Sequence, residues 1–261
     1  MKAGIVAIAY TPVRQEPSEQ SGQVTQLLFG ELCEILDEKN NWFHIRAMND
    51  DYEGWSDIKM ITLLNQDTYN EMLRTDPVIL PDPFMTVIRT DTDTKLVIPA
   101  GSSAWRYREK DYSFTNGEME FRLEQKPALT GDNFTANSLE TVTAGFINTP
   151  YLWGGKSTFG CDCSGFVQTV LKIFGKQLPR DAAEQVKPGE NIPFLNDAFP
   201  GDLAFFDNEE GEINHVGILL DYNRIIHASG RVRADAIDQE GIYNRELGKY
   251  THKLRTIKRV L

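Results

Sequence analysis

The chain has 261 residues, 41% of them hydrophobic and 25% charged, with a formal net charge of -11. That balance is expected of a folded soluble protein rather than a disordered or membrane-embedded one, and its length favours two or three units over one core. The negative charge argues against nucleic acid and anionic polymer surfaces as partners, and three cysteines (Cys33, Cys161 and Cys163) are too few for a disulfide framework or a four-cysteine zinc site.

The opening segment "MKAGIVAIAY" is short and apolar, but no small-residue cleavage site follows it, so no complete export signal is read there. No apolar run approaches the ~20 residues of a spanning helix. A soluble protein without a membrane partner is expected, in the cytoplasm unless an export signal has been removed.

Residues 5 to 64 read as short β runs broken by turns: "IVAIAY", "QVTQLLFGELCEIL", "NWFHIRAM" and "YEGWSDIKMI". In "WFHIRA" the alternation puts Phe43, Ile45 and Ala47 on one face, which makes His44 a surface strand residue. The segment "NQDTYNEMLRTD" reads as a linker helix. A second β-rich stretch from Val78 to Glu124 follows, with Trp105, Tyr107, Tyr112, Phe114 and Phe121 as core, and "KLVIPAGS" echoes "TQLLFGEL" of the first. The turn-rich "EQKPALTGDN" marks a boundary near Lys126. Three domains are expected: 1–64, 65–126 and 127–261.

The last domain changes character. "SLETVTAGFI" reads as a helix, "PYLWGGKSTFG" as a glycine-rich loop, and "CSGFVQTVLKIFG" as a second helix with Phe166, Val167, Val170, Leu171 and Phe174 on one stripe and Gly175 as its stop. β segments "GDLAFFD", "HVGILLDYNRIIHAS" and "THKLRTIKRVL" complete an α+β domain.

Cys163 falls in the first turn of that second helix, where unpaired N–H groups and the dipole favour an anion, so its thiol is expected to ionise more readily than the ordinary ~8.5. Cys161 lies in the preceding loop. His215 and His227 flank "LDYNR", and their even separation places them on one face of an antiparallel hairpin, opposite each other if the turn centres on Asp221. A thiol, a histidine base and a polar group orienting the base are the parts of an acyl-transfer nucleophile. Two rival readings stand beside it: a zinc site built from two cysteines and two histidines, and a wall-peptide-binding protein without catalysis.

The segments "YLWGGKSTFGCDCSGFVQTV", "RDAAEQ", "PGDLAFFD", "NHVGILL" and "IIHASG" together resemble the NlpC/P60 cysteine peptidases, papain-like enzymes that cut cell-wall peptides. The resemblance covers roughly residues 130 to 261 and implies Cys163 as nucleophile, His215 as base and His227 as the third polar residue. It also implies substrate contacts for Asp162, Ser164, Arg180 and Trp153, the guanidinium of Arg180 pairing with a D-Glu carboxylate, and an oxyanion role for Tyr151. The upstream part, through "EPSEQSGQVTQLLFGE" and "DDYEGWSDIKMI", resembles a subgroup with two bacterial SH3-like domains before the catalytic one. That subgroup comprises γ-D-glutamyl-L-diamino acid endopeptidases, whose first SH3-like domain closes the end of the cleft. It implies contributions from Tyr52 and Glu53 and a murein-derived peptide as partner; no cofactor or metal is expected, and a monomer is favoured though the sequence leaves the oligomeric state open. The chain departs from the subgroup at Gly22 and Gln23, where an acidic residue is expected, and from the family at Ala182, where a serine is common.

Overall fold

The computed structural model describes residues 2–128 and 134–261. The chain divides into two units, Met1–Leu129 with Trp153–Thr158, and Thr130–Leu152 with Phe159–Leu261. The boundary expected in "EQKPALTGDN" falls partly outside the described residues, at 129–133.

The first unit opens with seven strands: β1 (Lys2–Ile5), β2 (Tyr10–Arg14), β3 (Gln23–Leu28), β4 (Leu32–Lys39), β5 (Trp42–Ala47), β6 (Glu53–Asp57) and β7 (Thr62–Leu64). They form one sheet in the order β3-β2-β6-β5-β4-β1-β7. Alternation along β5 sends Phe43, Ile45 and Ala47 into a core with Val13, Leu27 and Cys33, while His44 stays on the outer face, its ring centroid 5.0 Å from that of Trp55 and tilted 32° to it. Burial there pushes the Cys33 thiol up to about 12.

Helix α1 (Gln66–Met72) starts where Asn65 accepts a hydrogen bond from the Thr68 N–H, and it buries Tyr69 and Met72. Strands β8 (Val78–Leu80), β9 (Phe84–Arg89), β10 (Thr94–Pro99), β11 (Ser102–Ala104), β12 (Ser113–Asn116) and β13 (Met119–Leu123) follow, in a four-stranded sheet β10-β9-β13-β12 and a β11-β8 pair. Ala3, Ile5, Phe29 and Leu32 of the first β stretch share one core with Phe114, Phe121 and Trp105 of the second. The echo between the two stretches has a structural counterpart: Gly30 and Gly101 each follow a strand with a left-handed φ, +78° and +84°.

The loop Trp153–Thr158, which carries β14 (Lys156–Ser157), belongs to this unit because β3 and its neighbours hold it. Gln23 Nε2 donates to the Trp153 carbonyl at 3.1 Å, the Lys156 N–H donates to Gln26 Oε1 at 3.0 Å, and the Lys156 ammonium meets the buried Glu31 carboxylate at 3.2 Å. Gly154 must be glycine there: its φ is +74°, and a Cβ would lie 2.8 Å from the Gln23 carbonyl oxygen.

In the second unit, α2 (Ala136–Ala144) begins with a reciprocal cap between Thr135 and Ser138. The short β15 (Gly160–Cys161) leads into α3 (Cys163–Ile173), and α4 (Ala182–Gln185) follows. Helix α3 buries Phe166, Val167, Val170 and Leu171 completely and is followed by Gly175 at φ +76°. The sheet comprises β16 (Glu190–Ile192), β17 (Leu203–Asp207), β18 (Ile213–Leu219), β19 (Arg224–Ser229), β20 (Arg231–Ile237), β21 (Gly241–Asn244) and β22 (Lys249–Arg259), in the order β16-β22-β17-β18-β19-β20-β21. Helices first and an antiparallel sheet after give the α+β architecture. No helix among the described residues is long and apolar enough to cross a membrane.

Candidate active site

Asp162 caps α3, accepting the Gly165 N–H at 2.7 Å, and so fixes Cys163 as the first residue of the helix. The Arg180 fork holds that carboxylate, with Nη2 donating to Oδ2 at 2.6 Å and Nη1 to Oδ1 at 3.0 Å, and Nη1 also donates to Ser164 Oγ at 2.9 Å. All three side chains are buried. The resemblance assigned the Arg180 guanidinium to a substrate carboxylate; in the structure its fork is directed to Asp162, where it stiffens the helix start.

Cys163 is buried to 7% exposure, with the backbone N–H groups of Val216 and Ser164 directed at its sulfur. The structure reverses the expected ease of ionisation. Burial, with the Asp162 carboxylate next in weight, pushes the thiol up to about 11, outweighing those two N–H groups and Arg180. The helix terminus alone would have lowered it.

The Val216 N–H at the sulfur brings β18, the strand that carries His215, against the start of α3. The histidine pair is diagonal rather than directly opposed: Gly217 faces His227 across β18 and β19, because the hairpin centres one residue later than Asp221. Both rings still share a face, and His215 Nε2 lies 2.8 Å from His227 Nδ1. His227 Nε2 in turn lies 3.1 Å from Asp235 Oδ2. Asp235 is held from its other side by Arg233, whose Nε and Nη2 donate at 2.7 and 2.9 Å.

For neutral rings, this chain of contacts assigns the tautomers. An ionised carboxylate only accepts, so His227 carries its proton on Nε2 and presents Nδ1 as an acceptor. His215 must then donate from Nε2, which leaves its Nδ1 unprotonated as a base. Burial favours a charged Asp235 least, yet its bonds to His227 and Arg233 together hold its carboxyl below the usual range. Burial, then the His227 and His252 rings, keep His215 well below the ordinary 6.5. Both shifts favour the uncharged thiol and the uncharged imidazole.

His252 on β22 stacks on His215, ring centroids 4.1 Å apart and 25° from parallel, and burial lowers it to about 4. Its Nδ1 lies 2.9 Å from Thr251 Oγ1. Tyr151 stands in a bridge beside Cys161, with its N–H on the Gly230 carbonyl at 3.0 Å. Burial, with the neighbouring Cys163 and Asp162 adding to the shift, raises its phenol to about 12, so it remains a hydrogen-bond donor.

The other expected site residues lie in the first unit. Trp153 is 71% exposed. Tyr52 is half-buried, its carbonyl accepting the Ala47 N–H at 2.9 Å. Glu53 opens β6 and accepts from Arg46 at 2.7 Å.

The rival zinc arrangement does not form. Among the described residues, the potential ligand atoms that gather belong to His215, His227 and His252, all within 4.8 Å of one another, with neither cysteine included. The nearest two of those nitrogens are already engaged with each other. Sequence reasoning missed Asp235 and His252. Asp235 sits in the alternating "RVRADAI", two residues along from Arg233, which pairs with His227, so an inward acid on the next strand was the available signal. Nothing local singles out His252.

The family model described as NlpC/P60 matches residues 148–252, and that described as the bacterial dipeptidyl-peptidase Sh3 domain matches residues 13–58. A gamma-D-glutamyl-L-lysine dipeptidyl-peptidase of Bacillus subtilis (strain 168) is 30% identical over 240 residues, spanning 85% of this chain and 78% of that protein. Dipeptidyl-peptidase 6 of Lysinibacillus sphaericus is 26% identical over 259 residues, spanning 89% and 91%. The crystal structure of an NlpC/P60 family protein from Bacillus cereus ATCC 10987 shares the fold, with a TM-score of 0.80, 18% identity, and coverage of 98% of this chain and 99% of that one. With a relative of that identity matched along most of both chains, and the cysteine helix and histidine hairpin in place, this chain belongs to the NlpC/P60 family.

Proposed function

We propose that the chain is a cysteine endopeptidase that hydrolyses the γ-D-glutamyl-L-diamino acid bond of murein-derived peptides with a free amino-terminal L-Ala, releasing L-Ala-γ-D-Glu. The observation that carries the reading is the relay from Asp235 through His227 to His215, on the strand whose Val216 N–H reaches the Cys163 sulfur; the reading takes His215 Nδ1 as the base for that thiol. The names of the relatives support the bond and the substrate class.

In this reading, His215 Nδ1 takes the thiol proton as the sulfur attacks the γ-glutamyl carbonyl carbon. The imidazolium that forms is buried, and the His227 ring, backed by the Asp235 carboxylate, offsets its charge. The Cys163 N–H at the start of α3 and the Tyr151 hydroxyl donate to the developing oxyanion, each worth roughly 3 kcal/mol. The His215 Nδ1–H then protonates the leaving amine, the C–N bond breaks, and a thioester remains on Cys163. Water attacks the thioester carbonyl, giving a proton to His215; the C–S bond breaks, the dipeptide leaves as its carboxylic acid, and His215 returns the proton to the Cys163 sulfur. Asp162, Ser164 and Arg180 keep the nucleophile at the helix start and contribute contacts to the substrate. Trp153, Tyr52 and Glu53 contribute the binding surface of the first unit, in a three-domain division at 64 and 126.

Incubation with L-Ala-γ-D-Glu-diamino acid tripeptide, its N-acylated form and intact sacculi, read by mass spectrometry, tests the reading. Cleavage of the free tripeptide alone, abolished by Cys163→Ala, is expected. Equal cleavage of the acylated form, or turnover by Cys163→Ala, contradicts it.

A further inference from the structure

Beside the catalytic base, at the end of the β17–β18 pair, lies a cavity of about 700 Å³ whose lining includes Asp207, Glu209, Asn214, His252 and Lys253. Asn214 precedes His215 in β18, and the His252 ring that lines the cavity packs face to face on the His215 ring. An occupant touching His252 is therefore one ring away from the base.

The charges in this cavity are not balanced by the fold. The Asp207 side chain is only 7% exposed, and its buried Oδ1 has no hydrogen-bond partner among the described residues. Its Oδ2 reaches no nearer to a cation than Arg255 Nε at 3.7 Å. Neither Glu209 nor Lys253 forms an ion pair among the described residues, whereas Arg224, Arg231, Arg233 and Arg259 on neighbouring strands all do. A buried acceptor without a partner carries a desolvation cost that a ligand donor would relieve.

We propose that this cavity is the leaving-group subsite, which takes the diamino acid with its side-chain ammonium against Asp207 and Glu209 and its α-carboxylate against Lys253. The inference rests on the peptidase reading above. The departing amine must sit at His215 Nδ1 to be protonated, so the rest of that residue extends past the ring. While its α-nitrogen is still in the amide, a C-terminal lysine residue carries one side-chain ammonium and one α-carboxylate, and the cavity offers two carboxylates and one ammonium.

The test compares kcat/KM for L-Ala-γ-D-Glu-L-Lys and for the same peptide ending in L-norleucine, which lacks the ammonium. The wild type is expected to prefer lysine, and Glu209→Gln to lower the lysine-to-norleucine ratio by about fivefold, the worth of one partly exposed ion pair. Lys253→Met should lower the ratio between the lysine peptide and its C-terminal amide by a similar factor. Glu209 and Lys253 are exposed, so both variants retain the fold. Equal turnover of the lysine and norleucine peptides by the wild type, or ratios unmoved in both variants, overturns the subsite while leaving the peptidase reading intact. Absence of cleavage of either peptide by the wild type overturns the peptidase reading and the subsite with it.

Discussion

Gly217 stands directly opposite His227 across the β18–β19 pair, and the missing side chain is what allows the His227 ring to lean along the strand to His215. A Cβ at Gly217 would lie 2.9 Å from His227 Cβ and 2.7 Å from Ile225 Cδ1. The contact between the two histidines thus depends on a residue that carries no chemistry.

Gly217→Ala is expected to displace His227 and lower kcat on the order of 10²-fold, with a stability cost of about 1–3 kcal/mol from overpacking. Steady-state kinetics and urea melts check it. An unchanged kcat would mean that His227 does not orient the base.

Asp235→Asn tests the tautomer relay. The amide can turn an N–H toward His227 Nε2, which moves the imidazole proton to Nδ1 and leaves His215 Nε2 facing a donor. A fall in kcat of about 10²- to 10⁴-fold with little change in KM is expected. Full activity in this variant would show that the carboxylate serves only to bind Arg233.

Stability should fall with acid in a defined window. His215 and His252 both have folded pKa values depressed from 6.5, the latter to about 4, so below 6.5 protons bind the unfolded chain more tightly than the folded one. Stability is full above that value and is lost as pH drops from 6.5 through 4. Asp235, also depressed, adds its own loss only at lower pH, beneath its usual ~3.9. Urea midpoints at about pH 7 and about pH 5 should differ, and His252→Gln should narrow the gap. An identical gap in that variant would exclude His252 as a source.

Much of this arrangement was legible in the residues. An Asp before Cys163 and an apolar stripe after it specify a capped, buried helix with the thiol at its start, and an even spacing puts His215 and His227 on one face. The register was not legible, because a shift of one residue in the turn moved the partner of His227 from His215 to Gly217. Asp235 and His252 reach the histidines from β20 and β22, and only the completed sheet order brings those strands near. The thiol was misjudged for a related reason. A helix start is a local feature, whereas the burial that outweighs it comes from the sheet packed over α3.

The proposed reaction requires the Cys163 sulfur to carry the acyl group, with His215 Nδ1 as its base. Acid quenching during turnover of L-Ala-γ-D-Glu-L-Lys, followed by peptide mass mapping, measures this directly. The account predicts an L-Ala-γ-D-Glu acyl group on the Cys163 peptide, accumulating in the wild type and absent in His215→Ala. Turnover with no acyl adduct on Cys163, or an adduct that forms equally fast without His215, would contradict it.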